Sequence, residues 1–125
     1  MDLSIIIVHY KTKELLKYCL KRIYQAAPKL NYEIIVVDNH SEDGTPLMLK
    51  EHFPLVKCYS APKNLGFAAG NNLGIRQSSG AYILTLNPDI AVLPGAIEHL
   101  HEFLVSNPET GVVGPQLVNP DKTIK

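Results

Sequence analysis

The sequence lacks an excess of charge of either sign, because 12 Lys and Arg balance 12 Asp and Glu among its 125 residues. A neutral chain offers no electrostatic reason to expect nucleic acid or an acidic membrane surface as its partner. It also lacks a polar low-complexity tract and an apolar run long enough to cross a bilayer. With 46% hydrophobic and 19% charged residues, the composition predicts a soluble globular protein of one domain.

Cysteines and targeting signals are also scarce. Cys19 and Cys58 are the only cysteines, and they form neither a CxxC pair nor a zinc pattern, so both are expected to be small core residues. The N-terminus carries Asp2 and then a short apolar run before Lys11, which matches a signal peptide neither in charge order nor in length. These absences predict a cytoplasmic protein.

Apolar, β-branched runs alternate with helical patterns along the chain. Strands are predicted over residues 3–8, 32–37, 55–59 and 81–86, with a short fifth strand at 111–114. Helices are predicted between Thr12 and Pro28, from an acidic loop at 38–45 to about His52, and over about residues 94–106. Strands and helices that alternate at these lengths predict a parallel, doubly wound α/β sheet.

The first helix shows the clearest amphipathic pattern. Thr12 is expected to cap it, with Glu14 in its first turn. The apolar spacing predicts one buried face, formed by Leu15, Leu16, Cys19, Leu20 and Ile23.

Residues 81–89 are the stretch around which the chain is organised: an apolar run that ends in Asn87, Pro88 and Asp89. The run, interrupted only by Thr85, predicts a strand buried on both faces. Pro88 favours an extended backbone at Asn87, so the side chains of Asn87 and Asp89 are expected to point the same way. Ligands bind outside the carboxyl ends of strands in open α/β sheets, which predicts a metal or phosphate here. A polar turn without a ligand is the alternative.

A glycine-rich segment, residues 62–75, precedes this strand. Each glycine inside a helix costs about 1 kcal/mol relative to alanine, so Gly66, Gly70 and Gly74 require a reason. Close approach of another backbone or of a ligand is the expected one.

Right-handed crossovers would bring three polar strand ends to one side of the sheet, at His9 and Tyr10, at Asp38 and Asn39, and at Asn87 and Asp89. This arrangement suits a nucleotide. One carboxylate would bind a base or ribose, and another would hold a divalent ion against a diphosphate.

Four motifs, at residues 4–10, 36–45, 64–75 and 84–89, resemble in this order the N-terminal half of family 2 glycosyltransferases of the GT-A fold. The resemblance covers about residues 3–119 and is closest to the rhamnosyltransferase-like branch. It implies an inverting transfer of a sugar from a nucleotide-diphosphate donor to a glycan or lipid-linked acceptor. Members of this family commonly act in cell-surface polysaccharide synthesis at the inner face of a membrane, so the resemblance also implies this role.

The resemblance also implies roles for individual residues. The family's Asp-x-Asp motif falls on Asn87 and Asp89, so Asp89 would be the carboxylate ligand of Mg²⁺ or Mn²⁺ and Asn87 a neutral one. Asp38 would hydrogen-bond the base. A neutral Asn71 stands where many relatives carry an arginine, which would remove charge from the donor site. The implied nucleotide-sugar site consists of Val8, His9, Tyr10, Asp38, Asn39, Gly66, Asn71, Asn72, Asn87 and Asp89.

The general base of the family lies well downstream of the Asp-x-Asp motif. The later carboxylates follow Asp89 too closely and are expected to lie on the surface: Glu98, Glu102, Glu109 and Asp121. The end at Lys125, without a closing element, predicts that residues 1–125 are a donor-binding half truncated before the acceptor half. Such a half would be inactive in transfer on its own, and its exposed apolar surface would favour self-association.

Other functions fit the residues less well. A dinucleotide-dependent oxidoreductase would use an acid such as Asp38, but residues 8–12 lack the glycine that lets a pyrophosphate approach. A phosphate-receiver module would need a pair of acids after the first strand. A non-catalytic nucleotide-binding or interaction module with a closed fold remains the alternative to an enzyme.

The histidines add little to this prediction. His9 and His40 fall in the proposed cleft without a recognisable partner, and His52 is expected at a helix end. His99 and His101 are two residues apart on a predicted helix, so they do not share a face and do not predict a metal pair. Tyr10 would either stack on a base or pack against the protein.

Overall fold

The computed structural model describes residues 1–119, 121 and 123. Strands and helices alternate along them in the order β1 Leu3–His9, α1 Lys13–Ala26, β2 Tyr32–Asp38, α2 Thr45–His52, β3 Lys57–Ser60, α3 Phe67–Arg76, β4 Tyr82–Thr85 and α4 Ala96–Ser106. The strands form one parallel sheet in the order β3-β2-β1-β4. The predicted parallel, doubly wound α/β architecture is confirmed.

Helices cover both faces of the sheet. Successive strand residues point to opposite faces, so Ile5 and Ile7 of β1 enter one core and Ile6 and Val8 enter the other. The larger core is completed by α1, α2 and α4, and the smaller one by α3. All seven residues of β1 are buried, as expected for the strand with a neighbour on each side.

Two glycines of α3 pack against the side chains of β1. A Cβ atom on Gly70 would lie 2.8 Å from Cγ1 of Val8, and one on Gly74 would lie 2.5 Å from Cγ2 of Ile6. The expected close approach exists, but at these two positions it is to strand side chains, so the prediction of a backbone or a ligand there is wrong. The glycines let α3 lie close against the sheet.

The prediction that the fourth strand is buried on both faces is wrong. β4 spans only Tyr82–Thr85 at the edge of the sheet, and its residues alternate between half-buried and exposed. Ile83 is 39% exposed. The cause is strand order, because α3 packs over β1 and β2 and leaves one face of β4 open.

Three smaller predictions also fail. No strand forms at residues 111–114, where Val112 is 89% exposed and the two glycines leave little apolar surface to bury. Leu15 is 48% exposed, because the buried face of α1 needs only Leu16, Cys19, Leu20 and Ile23. Thr12 stands at the N-cap of α1, but its side chain makes no capping bond to the helix.

Both cysteines are free thiols. Cys19 is fully buried in the larger core and Cys58 is partly buried against it, as expected for core residues. None of the described helices is both long and apolar enough to cross a membrane. The expectation that the end of the chain forms no closing element falls partly on residues outside the described ones.

Candidate functional site

The carboxyl ends of β1 and β2 lie side by side. His9 pairs with Asp38 in the register of the two parallel strands. The backbone N–H of Asn39 then donates to the carbonyl of His9 over 2.8 Å, so the chains stay together for one residue beyond β2. Two of the three predicted polar strand ends are therefore in direct contact.

The tip of β4 lies on the other side of β1. Thr85 pairs with Ile6, and the N–H of the next residue, Leu86, donates to the carbonyl of Ile6 over 2.9 Å. Asn87 and Asp89 follow on the same edge of the sheet as Asp38, because all the strands are parallel. The side chains of Asn87 and Asp89 are exposed.

The β4 tip is supported from behind by α1. The thiol of Cys19 lies 3.9 Å from the carbonyl oxygen of Asn87. Burial, and to a smaller extent the negative charge of Asp89, raise the pKa of this thiol to about 12. Cys19 is thus a packing residue beneath the tip, and its buried thiol is protonated at neutral pH.

Asn39 fastens the glycine-rich segment to the end of β2. Its side chain is 2% exposed, accepts a hydrogen bond from the N–H of Leu65 over 3.1 Å, and donates one to the carbonyl of Gly66 over 3.0 Å. Gly66 has a φ of 84°, which favours glycine. The amide of Asn39 is therefore occupied by the protein, and it acts on the site by holding the turn before α3.

The two asparagines of α3 differ in exposure. Asn71 is buried, and its amide donates to the carbonyl of Phe67 over 3.2 Å within the same helix. Asn72 is exposed. Of this predicted pair, Asn72 is the residue that solvent reaches.

His9 is a fully enclosed polar residue of the site, with no exposed surface. Its Nδ1 lies 2.8 Å from Oγ1 of Thr12, and its Nε2 lies 2.8 Å from Oγ1 of Thr45. Oδ2 of Asp43 is 3.4 Å and Oδ1 of Asp38 is 3.8 Å from Nε2. Burial lowers the pKa of the imidazole, although both carboxylates act in the opposite direction. The expectation that His9 has no partner is wrong.

Thr45 and Asp43 are functional candidates that sequence analysis missed. Thr45 is fully buried, and its hydroxyl donates to Oδ1 of Asp43 over 2.6 Å. The available signal was the Asp-Gly-Thr order at the start of α2, which places a carboxylate two residues before a hydroxyl at a helix start. Nothing in that order predicts that His9 contacts Thr45 and Asp43.

His40 also has a partner, contrary to expectation. Its Nε2 lies 3.0 Å from Oε1 of Glu42, with both side chains largely exposed. An exposed pair of this kind contributes little to stability.

Three residues of the two site loops have left-handed backbone conformations although none is glycine: Lys11, His40 and Glu42, with φ of 54°, 65° and 54°. Such conformations persist where surrounding contacts impose them, and they cluster at functional sites. Here Ser41 supplies the contacts. Its Oγ accepts the N–H of Lys11 over 2.8 Å, and its own N–H donates to Oδ1 of Asp38 over 3.2 Å.

Tyr10 forms the open rim of the site. It is 43% exposed, and the Nζ atom of Lys11 lies 5.2 Å from the centre of its ring. An exposed aromatic ring and a cation therefore follow the buried His9 directly at the carboxyl end of β1.

These features agree with a family assignment. A family model described as glycosyl transferase family 2 matches residues 4–124. The chain belongs to this family. The matched range contains all three strand ends and the glycine-rich segment, so the resemblance predicted from the four motifs is confirmed.

Curated members of the family are similar over much of this chain. It is 32% identical over 122 residues to the low-salt glycan biosynthesis hexosyltransferase Agl10 of Haloferax volcanii, which covers 94% of this chain and 37% of the relative. It is 28% identical over 102 residues to the N-acetylglucosaminyl-diphospho-decaprenol L-rhamnosyltransferase of Mycobacterium tuberculosis, covering 73% of this chain and 33% of that protein. The chain thus spans about a third of the length of the curated relatives it matches.

Solved structures share the fold. S. aureus TarS 1-349 in complex with UDP-GlcNAc superposes with a TM-score of 0.77 at 19% identity, covering 93% of this chain and 38% of TarS. The mannosyltransferase PcManGT from Pyrobaculum calidifontis, in complex with GDP-Man and Mn²⁺, superposes with a TM-score of 0.75 at 23% identity, covering 82% and 32%. At these identities the similarity establishes the fold, and the predicted GT-A-like architecture is confirmed.

The segment after β4 carries Asn87 and Asp89, the two residues expected to stand at the family's Asp-x-Asp motif. Exposed amide and carboxylate oxygens of this kind are the ligands that Mg²⁺ and Mn²⁺ prefer. Within residues 1–119, 121 and 123, no group of three or more His, Cys, Asp or Glu side chains is placed to hold a metal ion. The β4 tip thus offers one carboxylate and one amide, and a cation held there would take its remaining ligands from phosphate and water.

The carboxylates after Asp89 are not all alike. Glu102, Glu109 and Asp121 are exposed, as expected. Glu98, in the first turn of α4, is only partly exposed, and its Oε1 is buried without a hydrogen-bond partner among the described residues. The prediction that Glu98 is an ordinary surface residue is therefore wrong.

Proposed function

We propose that this chain is the donor-binding part of an inverting glycosyltransferase and holds a nucleotide-diphosphate sugar at the carboxyl edge of its sheet. The observation that carries the proposal is that Asp38 ends β2 and Asp89 lies in the segment that follows β4, with β1 between the two strands. Related structures were solved with UDP-GlcNAc and with GDP-Man and Mn²⁺, and a relative is named a rhamnosyltransferase. These names support a nucleotide sugar as the donor.

Asp38 is proposed to recognise the base. Its Oδ1 accepts the N–H of Ser41, which leaves Oδ2 to accept a hydrogen bond from a base N–H. Tyr10 borders this point with an exposed ring, on which the base would stack. The wall and floor of the nucleotide site are then formed by Val8, Asn39, Gly66 and Asn71, and Asn72 is the polar residue of α3 that reaches its surface.

Asp89 and Asn87 are proposed to hold Mg²⁺ or Mn²⁺ against the diphosphate. When bound, the cation would offset the charge that develops on the departing nucleoside diphosphate. The chain's own contribution is to fix the two oxygen ligands. Leu86 pairs with β1 directly before them, and Cys19 of α1 packs behind them.

The acceptor side is proposed to belong to a region beyond this chain. An inverting displacement needs a general base that takes the proton of the attacking acceptor hydroxyl. We place that base, and the glycan or lipid-linked acceptor, in the further two thirds that the relatives possess, with residues 1–125 as the donor half. We also propose a role in cell-surface polysaccharide synthesis, at the cytoplasmic face of a membrane, and self-association through exposed apolar residues of α4 and β4, where Phe103 is 47% and Ile83 39% exposed.

Calorimetric titration tests this function. UDP, GDP and dTDP, each with and without Mn²⁺, would be titrated into the 125-residue chain. The proposal predicts saturable binding of at least one diphosphate that strengthens when Mn²⁺ is added. Absence of binding by all three, in a chain that circular dichroism shows to be folded, would contradict it. Ultracentrifugation of the same samples tests self-association.

A further inference from the structure

His9 has two separate sets of partners, one on each ring nitrogen. The backbone N–H of Thr12 points at Nδ1 over 3.3 Å. A backbone N–H only donates, so Nδ1 is an acceptor and carries no hydrogen. The partners of Nε2 require that this nitrogen carry the hydrogen. Thr45 donates its single hydroxyl proton to Asp43, so Nε2 must donate to Oγ1 of Thr45. These contacts therefore assign to His9 a neutral imidazole with its hydrogen on Nε2.

The two sets of partners belong to different loops. Thr12 precedes α1, whereas Thr45 and Asp43 close the acidic loop at residues 38–45. A continuous chain of hydrogen bonds thus runs from the N–H of Thr12 through His9 to Thr45 and on to Asp43. A second link between the same loops is the bond from Lys11 to Ser41.

The acidic loop needs such links. His40 and Glu42 are held in left-handed conformations that non-glycine residues rarely adopt. Asp38 stands at the start of this loop, and its Oδ1 is tied to Ser41 inside it. If the loop were no longer held at Thr45, the Asp38 carboxylate would therefore also lose its fixed position. Burial lowers the pKa of His9, which favours the neutral ring on which this chain of bonds depends.

We infer that His9 is a positioning residue: its Nε2–H, acting through Thr45 and Asp43, holds the acidic loop so that Asp38 meets the base of the nucleotide. His9 has no exposed surface, so it does not touch the nucleotide itself. The inference rests on the proposed function for the ligand, whereas the bonds that hold the loop do not depend on it. It replaces the expected role of His9 as a lining residue of the nucleotide pocket.

A pair of isosteric variants separates the two ring nitrogens. The amide nitrogen of a glutamine side chain reaches the place of Nε2, and the amide oxygen of an asparagine reaches the place of Nδ1. His9→Gln keeps the donor to Thr45, and His9→Asn keeps only the acceptor for Thr12. We expect His9→Asn to weaken the binding of the Mn²⁺ diphosphate about tenfold, and His9→Gln to bind within about twofold of the unmodified chain. Equal affinities for His9→Asn and the unmodified chain would overturn the inference.

Thr45 provides a second test that leaves the imidazole in place. Thr45→Val is nearly isosteric and removes the hydroxyl between His9 and Asp43, whereas Thr45→Ser retains it. Weakening by Thr45→Val of about tenfold, with rescue by Thr45→Ser, supports the inference. Because His9→Asn and Thr45→Val break one chain of bonds, the double variant should be no weaker than either single variant. Full additivity would contradict a shared chain.

Two readouts need no nucleotide and separate this inference from the proposed function. The ¹⁵N resonances of His9 should show a neutral ring with hydrogen on Nε2, and amide exchange at Ser41 and Thr45 should accelerate in His9→Asn but not in His9→Gln. If both results are obtained but no diphosphate binds, the proposed function is wrong and the inference that His9 positions the loop is supported. A hydrogen on Nδ1, or unchanged exchange in His9→Asn, would overturn the positioning role even if diphosphates bind.

Discussion

The backbone N–H of Leu86 donates a hydrogen bond of 2.9 Å to the carbonyl of Ile6, one residue beyond the end of β4. The bond extends the pairing of β4 with β1 up to the residue before Asn87. On the other side of β1, Asn39 donates to the carbonyl of His9 in the same way. The central strand therefore holds a polar strand end on each side, and this brings the proposed base-binding and metal-binding residues to one edge.

Asp89→Ala is expected to remove the Mn²⁺-dependent part of diphosphate affinity. Loss of the only carboxylate at the β4 tip should weaken binding in the presence of Mn²⁺ about tenfold or more and leave metal-free binding unchanged. Because Asp89 is exposed, the free energy of unfolding should change by less than about 0.5 kcal/mol. Calorimetry and urea unfolding measure the two effects. Glu109→Ala, which removes an exposed carboxylate outside the site, is the matched control, and Asp89→Ala with the same Mn²⁺ dependence as this control would refute the assignment.

Tyr10→Ala tests whether the exposed ring stacks on a base. Stacking of a base on an aromatic side chain is worth about 1–3 kcal/mol in nucleic-acid complexes, so a loss of about tenfold in diphosphate affinity is expected. Tyr10→Phe keeps the ring and should bind like the unmodified chain. If the ring only packs against the protein, Tyr10→Ala would instead lower the melting temperature and leave the affinity unchanged.

Gly74→Ala is expected to destabilise the fold, although alanine favours a helix over glycine by about 1 kcal/mol. The new Cβ would lie 2.5 Å from Cγ2 of Ile6, a side chain with no exposed surface, and 3.3 Å from Cγ2 of Val37. Overpacking of this kind costs about 1–3 kcal/mol. We expect a net loss of about 1–2 kcal/mol in urea unfolding. Gly111→Ala, whose Cβ meets nothing within 4 Å, is the control and should be neutral. Equal stability of the two variants would show that α3 does not lie this close to the sheet.

Glu33 stabilises the opposite end of the sheet. Its buried carboxylate accepts hydrogen bonds from Ser4 and Lys57, both 2.6 Å, and from the N–H and hydroxyl of Ser79, 2.7 and 2.9 Å. Hydrogen bonds to a charged group are worth about 1.5–3 kcal/mol, so Glu33→Gln should lose about 2 kcal/mol of unfolding free energy at pH 7.

The Glu33 carboxylate also makes the free energy of unfolding depend on pH. Burial alone would raise the pKa of Glu33, but the hydrogen bonds from Lys57, Ser4 and Ser79 outweigh it and lower the pKa from 4.5 to about 2. A folded-state pKa below the unfolded one means that the stabilisation is complete above about pH 4.5 and disappears as the pH falls towards 2. The stability difference between the unmodified chain and Glu33→Gln should therefore shrink over this range. A difference that stays constant down to pH 2 would contradict the low pKa.

The central strands could be predicted from the sequence because their burial leaves a direct pattern. β1 and β2 contain continuous apolar runs at residues 5–8 and 34–37, as is typical of parallel strands covered on both faces. β4 carries a similar run, yet it lies at the edge with Ile83 exposed. The position of each strand in the sheet causes that difference. This position cannot be predicted from the residues of one strand.

The positions of the site residues could be predicted, but their partners could not. Polar residues after apolar strands identify His9, Asp38 and Asn87 as strand ends, since parallel strands end on one edge. The bond from His9 to Thr45 joins residues 36 positions apart, and the bond from Ser79 to Glu33 joins residues 46 apart. Contacts at such separations depend on how the helices return the chain to the sheet, which local patterns do not report.

Paramagnetic broadening by Mn²⁺ tests most directly whether three strand tips bind one diphosphate. Amide resonances would be recorded for the chain with a bound diphosphate and Mg²⁺, which would then be replaced stepwise by Mn²⁺. Broadening is expected first at Asp89, then at Tyr10 and Asp38, and last at Glu33 and Ser79, because Glu33 lies five residues before Asp38 along β2, about 17 Å away. Broadening confined to one tip, or strongest at Glu33 and Ser79, would contradict the account.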